Sequence, residues 1–347
     1  MANSIQAPAS IVDHGRMKFG SWSGYPGEAN LLDVVKPYGF RILRILKRMR
    51  LKEWRALQAG DDTWFVFAVL YDAKFISMAS VDLWNRKDKA KHGFRRMFPL
   101  SRFIMSKSLE FSETHADQGT DRLSLRIDPE ASYIGLHARS KPSHAAPEDI
   151  ALDLRFDFSP HDASPISVCM PLGDNRGIYS TKVLLPCSGL LSIDGHTHRF
   201  DSNTASGAFD DHKGYYPYRL HYDWVTGFGI DAQGRRIGFN LTDNQVLDQE
   251  RYNENRLWLG KEVHTLPPVR FERPDGREGP WIIRDRKGVV DLRFYPEVSH
   301  DISMRLGLAA IDYAGPFGGF SGGFTLRGQA IDASSLFGMG EDKSVRL

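Results

Sequence analysis

Between Asp194 and Gly229 the chain reads DGHTHRFDSNTASGAFDDHKGYYPYRLHYDWVTGFG, gathering four of its twelve histidines, five aspartates and a run of aromatic residues. Short titratable side chains interleaved with aromatics suit a concave site for an oily ligand with a few polar anchors. Asp210-Asp211-His212 offers two carboxylates beside an imidazole. Adjacent like charges raise one carboxyl pKa when partly buried, and such a group can donate or accept a proton. On a strand, however, neighbours point to opposite faces, so only one of Asp210 and Asp211 can face a given cavity. The competing reading of this stretch is an acidic turn held by side-chain to backbone hydrogen bonds.

His196 and His198 sit two apart on an expected strand and leave the same face, which is adequate for two ligands of one metal. Two ligands do not make a site, and no spacing compels Asp210, Asp211, His212 or His221 to complete one. No metal and no cofactor are therefore expected. Tyr216, Tyr222 and Trp224 follow, with Tyr215, Tyr218 and Phe228; they either fill a barrel or wall a ligand cavity, with His221 or Asp223 as its polar handle. Asn240 and Glu254 are candidate polar anchors.

Several reaction classes lack their motifs. There is no H-E-x-x-H and no dinucleotide fingerprint, and Gly319-Phe320-Ser321-Gly322-Gly323, though it fits G-x-S-x-G, is followed by no helix pattern. The glycine-rich run Gly315–Gly323 lacks the Lys-Ser/Thr of a phosphate-binding loop and reads as a bulged hairpin turn entering a strand at Phe324–Ile331. What remains for an enzyme is acid and base catalysis on a bound apolar molecule.

The elements that must position these residues are strands. With 32 Gly and 18 Pro among 347 residues, punctuation is dense, and between the breaks apolar residues recur with period two. Strands are expected at Leu51–Ala59, Thr63–Leu70, Lys74–Leu83, Ser106–Thr114, Arg122–Ile127, Tyr133–Ala138, Ile150–Phe158 and Tyr179–Leu185. Asp194-Gly195 between two β-like runs is a strong hairpin signal, because that dipeptide suits a type I′ turn. A length of 347 residues exceeds one ordinary core. Each half reads as a meander able to close into a barrel, with a boundary near Pro186–Gly189, giving domains 1–186 and 187–347.

One amphipathic helix is expected at Val35–Met49, where Tyr38, Ile42, Ile45, Leu46 and Met49 recur at helical spacing opposite Arg41, Arg44 and Arg48. It either packs on a barrel with its basic face in water or lies on an anionic membrane through Arg41–Arg55. The second basic run, Arg86–Arg96, reads as an exposed loop. The net charge of +2, from 45 basic and 43 acidic residues, supplies no field for nucleic acid. Cys169 and Cys187 read as buried thiols. The first twenty residues show no basic segment leading into an apolar one, and no apolar run is long enough to span a bilayer, so a cytoplasmic protein is expected.

Leu51-Lys52-Glu53-Trp54 with Val81-Asp82, Asp210 through Gly214 with Tyr216-Pro217, Arg219 and Trp224, Asn253-Glu254-Asn255 with Gly260-Lys261, and Phe317-Gly318 with Gly338-Met339-Gly340-Glu341 together resemble the DUF2804 family. Tyr222 departs from the tryptophan expected there. That family in turn is similar to the double-calycin group of AttH-like proteins, carotenoid hydratases, tocopherol cyclase and decalin-forming cyclases. The resemblance implies an all-β fold of two consecutive lipocalin-like barrels around an apolar pocket, and it favours a hydrophobic small-molecule ligand. Its spacing to Gly214 and Pro217 singles out Asp210 over Asp211.

The leading expectation is a cofactor-independent hydratase, lyase, isomerase or cyclase acting on a lipid, terpenoid or polyketide-like molecule. Asp210 or Asp211 would be the acid or base, with His196, His198, His212 and His221 as partners. The rivals are a non-catalytic lipid or terpenoid carrier and a carbohydrate-binding strip of exposed aromatics.

Overall fold

The computed structural model describes residues 5–109, 111–143, 147–158, 164–307 and 309–346. The chain is all-β, and its strands fall into two compact units, Met1–Tyr215 and Tyr216–Leu347.

In the first unit one antiparallel sheet runs Ala90–Pro99, Ile76–Asn85, Trp64–Asp72, Leu51–Gly60, Ser206–Tyr215, Arg176–Ile193, Ile150–Asp157, Tyr133–Ser140, Asp121–Asp128, Ser112–Gln118. It curls into a barrel. Its two ends meet where Arg96 of the first strand pairs with Asp121, and Arg55 reaches across to the hydroxyls of Ser112 and Thr114. The inward alternate residues, among them Leu57, Val66, Val81, Leu125, Leu136, Leu154 and Phe209, form one continuous core.

The strand Arg176–Ile193 holds this barrel together by changing partners. Residues 178–186 pair with Ser206–Tyr215, and residues 187–193 pair with Ile150–Asp157. The expected boundary near Pro186–Gly189 thus lies inside a strand. A proline, which lacks an N–H for the ladder, stands where the partner changes. The boundary between compact units falls instead after Tyr215.

In the second unit the order is Glu262–Thr265, Arg256–Leu259, Arg236–Asp243, Arg219–Ile230, Phe337–Arg346, Phe317–Leu326, Val290–Val298, Trp281–Asp285, Val269–Glu272. Its core stacks Phe239, Phe320, Phe294 and Trp281 in a row of tilted and edge-to-face rings, with centroids 5.0 to 5.3 Å apart. Such geometry lets ring edges meet ring faces favourably.

The Asp194-Gly195 hairpin forms as expected, with φ of 49° and 84° and Ile193 paired to His196. Several expectations are corrected. The helix spans only Arg44–Arg50. Upstream, Pro37 disfavours helical backbone at Lys36, which takes φ 55°, and Gly39 takes φ 84°, so no helix can run through them. Only residues 86–89 of the second basic run form a turn, because Ala90–Pro99 is an edge strand carrying its basic side chains on a sheet margin. Ser106–Leu109 forms no strand, and pairing starts at Ser112.

The glycine run is itself the strand Phe317–Leu326 rather than a turn. Close backbone approach explains its composition: a Cβ on Gly318 would stand 2.0 Å from the Tyr295 carbonyl oxygen. Among the described residues no helix is long and apolar enough to cross a membrane.

Candidate functional site

Strand alternation separates the two adjacent aspartates. Asp211 is paired in register with Arg55 and turns inward, where its Oδ1 accepts from Arg55 Nε at 2.8 Å; both side chains are almost wholly buried. Asp210 turns outward beside Lys182, its register partner, at 2.8 Å, and accepts from Ser180 at 3.3 Å. His212 shares that outward face and lies flat on its own register partner, Trp54, with centroids 3.8 Å apart and planes 7° apart. Tyr71 adjoins the same indole at 6.0 Å. Lys182, Asp210, His212, Trp54 and Tyr71 are thus the polar and aromatic row of one sheet face.

A buried charge cluster near the Arg55–Asp211 pair escaped the sequence reading. Glu53 is held by Lys213 at 3.1 Å and by Lys74, which also binds Asp72 at 2.7 Å. Burial alone would raise the Glu53 pKa, but the two ammonium groups outweigh it and hold the carboxyl below its usual range. Every charge here has an opposite partner, which fits a structural clasp at the barrel end better than a reacting centre.

His196 is exposed, whereas His198 Nε2 meets Asp61 Oδ2 at 2.7 Å and its ring stands edge-on to Phe200 at 4.9 Å. The two histidines share a face, but His198 is engaged in tying its hairpin to the turn at Asp61.

In the second unit His221, Asp223 and Asp342 bring one ligand atom each within 4.8 Å of the others. Two guanidinium groups already occupy the carboxylates: Arg273 reaches Asp223 at 2.7 Å and Arg277 reaches Asp342 at 2.8 Å. Burial raises the Asp223 pKa against the pull of Arg273. This donor set is neutralised by arginine, so it reads as an ion-pair network beside a cavity of about 520 Å³ lined by His221, Ser344 and Asp312.

Tyr222, Trp224, Asn240 and Glu254 converge on the opposite face of the same sheet, whereas Tyr216 lies buried just before its strand Arg219–Ile230. Trp224 donates from its indole to Asn240 Oδ1 at 2.6 Å, and Asn240 donates to the Glu254 carbonyl at 3.0 Å. The Glu254 carboxylate accepts from Thr242 at 2.7 Å. Trp224 is in register with Glu341, and Tyr222 with Lys343, so all four side chains leave one face. There Tyr222 donates to Glu341 Oε2 at 2.9 Å and Tyr313 donates to Oε1 at 2.8 Å. Lys343 Nζ lies over both rings, 5.5 Å from the Tyr222 centroid and 5.6 Å from that of Tyr313.

Burial, reinforced by Glu341, Tyr216 and Tyr313, pushes the Tyr222 pKa well above its usual value. Burial lowers that of Lys343, against the pull of Glu341. The Glu341 carboxylate thus receives one phenol on each oxygen, with the Lys343 ammonium and the Trp224 indole on the same face.

Sequence reasoning reached Tyr222, Trp224, Asn240 and Glu254 but missed Glu341, Tyr313 and Lys343 as site residues. Glu341 stood in a stretch quoted for the family resemblance. Its partner at position 222 lies 119 residues away, and only the pairing of their strands brings them together.

The sequence matches the family described as "Domain of unknown function (DUF2804)" over residues 3–347, and the chain belongs to that family. No curated protein matches it. Among solved structures it is similar to kievitone hydratase from Nectria haematococca, at 12% identity over 85% of this chain and 88% of that one, with a TM-score of 0.47. It is similar also to CghA, at 11% identity over 86% and 88% of the two chains, with a TM-score of 0.47.

Proposed function

We propose that this member of the DUF2804 family binds an apolar small molecule and catalyses a non-redox acid–base reaction on it: a hydration, dehydration, isomerisation or cyclisation. The observation that carries the reading is Glu341 with Tyr222 and Tyr313 each donating to one of its oxygens. A carboxylate so held is oriented before any ligand arrives and can act as the base. The phenol of Tyr222, kept protonated by its surroundings, holds one oxygen of that carboxylate in place. Trp224, fixed by Asn240, supplies a flat apolar wall beside them.

Asp210 and His212 form the second candidate pair. They share a face with the Trp54 indole, and Asp210 is held by Lys182 and Ser180. Asp211 is assigned a structural role through Arg55.

The test starts with mass spectrometry of small molecules retained by the purified protein, followed by incubation with analogues of whatever is found. Conversion by the wild type that disappears in Glu341→Gln supports the reading. Tight binding with unchanged analogues would replace it with a carrier.

A further inference from the structure

The helix Arg44–Arg50 has no buried residue. An amphipathic helix on a globular protein ordinarily turns its apolar stripe inward. Here the stripe faces water: Leu43 is 70% exposed, Ile45 60% and Leu46 52%, with Phe40 just upstream at 61%. Scattered exposed apolar residues are common, but a contiguous group of this kind marks an interaction surface.

The charge around it is one-sided. From Lys36 to Lys52 there are seven basic residues and no acidic one. Arg41, Arg44 and Arg48 are exposed, and Arg44 makes a loose 3.8 Å contact with Asp33. The helix is also firmly seated. Lys47 donates to the Val34 carbonyl at 2.7 Å, and Lys52 joins the carbonyls of Met49 and Ala73 while lying over the Phe75 ring at 4.6 Å. Its apolar side chains are therefore presented by a fixed element.

We infer that the segment Phe40–Met49 docks on an anionic lipid bilayer, with Phe40, Leu43, Ile45 and Leu46 entering the headgroup boundary and Arg41, Arg44 and Arg48 meeting lipid phosphates. Apolar anchors alone would suit a protein partner equally. Their combination with one-sided positive charge suits a surface that is oily beneath and negative above. The inference does not depend on the acid–base reading.

The experiment is co-sedimentation of the full chain with vesicles of phosphatidylcholine alone and of phosphatidylcholine mixed with phosphatidylglycerol. Binding is expected to the mixed vesicles, to weaken with added salt, and to be slight on phosphatidylcholine alone. Each basic residue removed should lower partitioning about fivefold, so Arg44→Gln with Arg48→Gln should lose roughly twentyfold or more. The triple variant Leu43→Ser, Ile45→Ser, Leu46→Ser should abolish binding. These residues are exposed, and an unchanged thermal midpoint will confirm that both variants fold.

No binding of the wild type to mixed vesicles overturns the inference, as does binding that neither variant weakens. Self-association of the wild type that the triple variant abolishes, without vesicle binding, would assign the face to a second copy of the chain and also overturn it.

Discussion

Tyr222 and Glu341 sit diagonally across two paired strands, and the phenol donates to the carboxylate at 2.9 Å while Tyr313 takes the other oxygen at 2.8 Å. Both donors are aromatic, and Lys343 Nζ lies over both rings. Tyr222→Phe and Tyr313→Phe each leave one carboxylate oxygen without its donor, which costs about 1 kcal/mol at these part-buried contacts. Each single variant should fold, retain the ligand and lose turnover. Made together, they should lose less than the sum of the separate effects, because the two hydroxyls act on one group. Additive losses would mean that the phenols serve independent purposes.

The adjacent aspartates should respond differently to the same change. Asp211→Asn leaves the buried Arg55 guanidinium uncompensated, and breaking a buried pair from one side costs about 3–5 kcal/mol. Asp210→Asn, on the less enclosed pair with Lys182, should cost less. Urea denaturation of both variants checks the order. The double variant Arg55→Met, Asp211→Leu should recover much of the loss, since a packed apolar pair of similar volume replaces the ions.

Lys52 should make stability depend on pH near neutrality. Burial, with help from Arg50 and Lys74, lowers its pKa from 10.5 to about 7. In the unfolded chain the amine keeps its proton up to its ordinary pKa. Between the two values the unfolded chain therefore binds more protons, and stability from this group rises with pH. Raising the pH from 7 to 9 should strengthen the first unit by about 2 kcal/mol through Lys52, and Lys52→Met should remove that increment. Denaturation of wild type and variant at the two pH values measures it; an equal pH response in both would count against the assignment.

Strands were legible wherever the alternation was local. Leu51–Gly60 and Trp64–Asp72 each keep an apolar inner row, and Asp194-Gly195 dictates its own turn. The same alternation foretold that Asp210 and Asp211 would part company. Partner exchange was not legible, because nothing local to Pro186 distinguishes a strand changing neighbours from a break between domains. The helix was overextended because apolar periodicity continued across Pro37 and Gly39, whose backbone preferences override it. The site was half legible. Tyr222 and Trp224 stood out by composition, whereas Glu341, Tyr313 and Lys343 became neighbours only through strand pairings that no sequence spacing encodes.

The central claim is that Glu341 exchanges a proton with a bound apolar molecule. The most direct measurement compares single-turnover conversion of the retained ligand, or its nearest reactive analogue, by wild type and by Glu341→Gln at matched ligand occupancy. Glutamine keeps the size and still accepts from one tyrosine but cannot act as a base, so conversion should fall by about 10²-fold or more with ligand affinity little changed. Conversion that proceeds at the wild-type rate in Glu341→Gln would contradict the account.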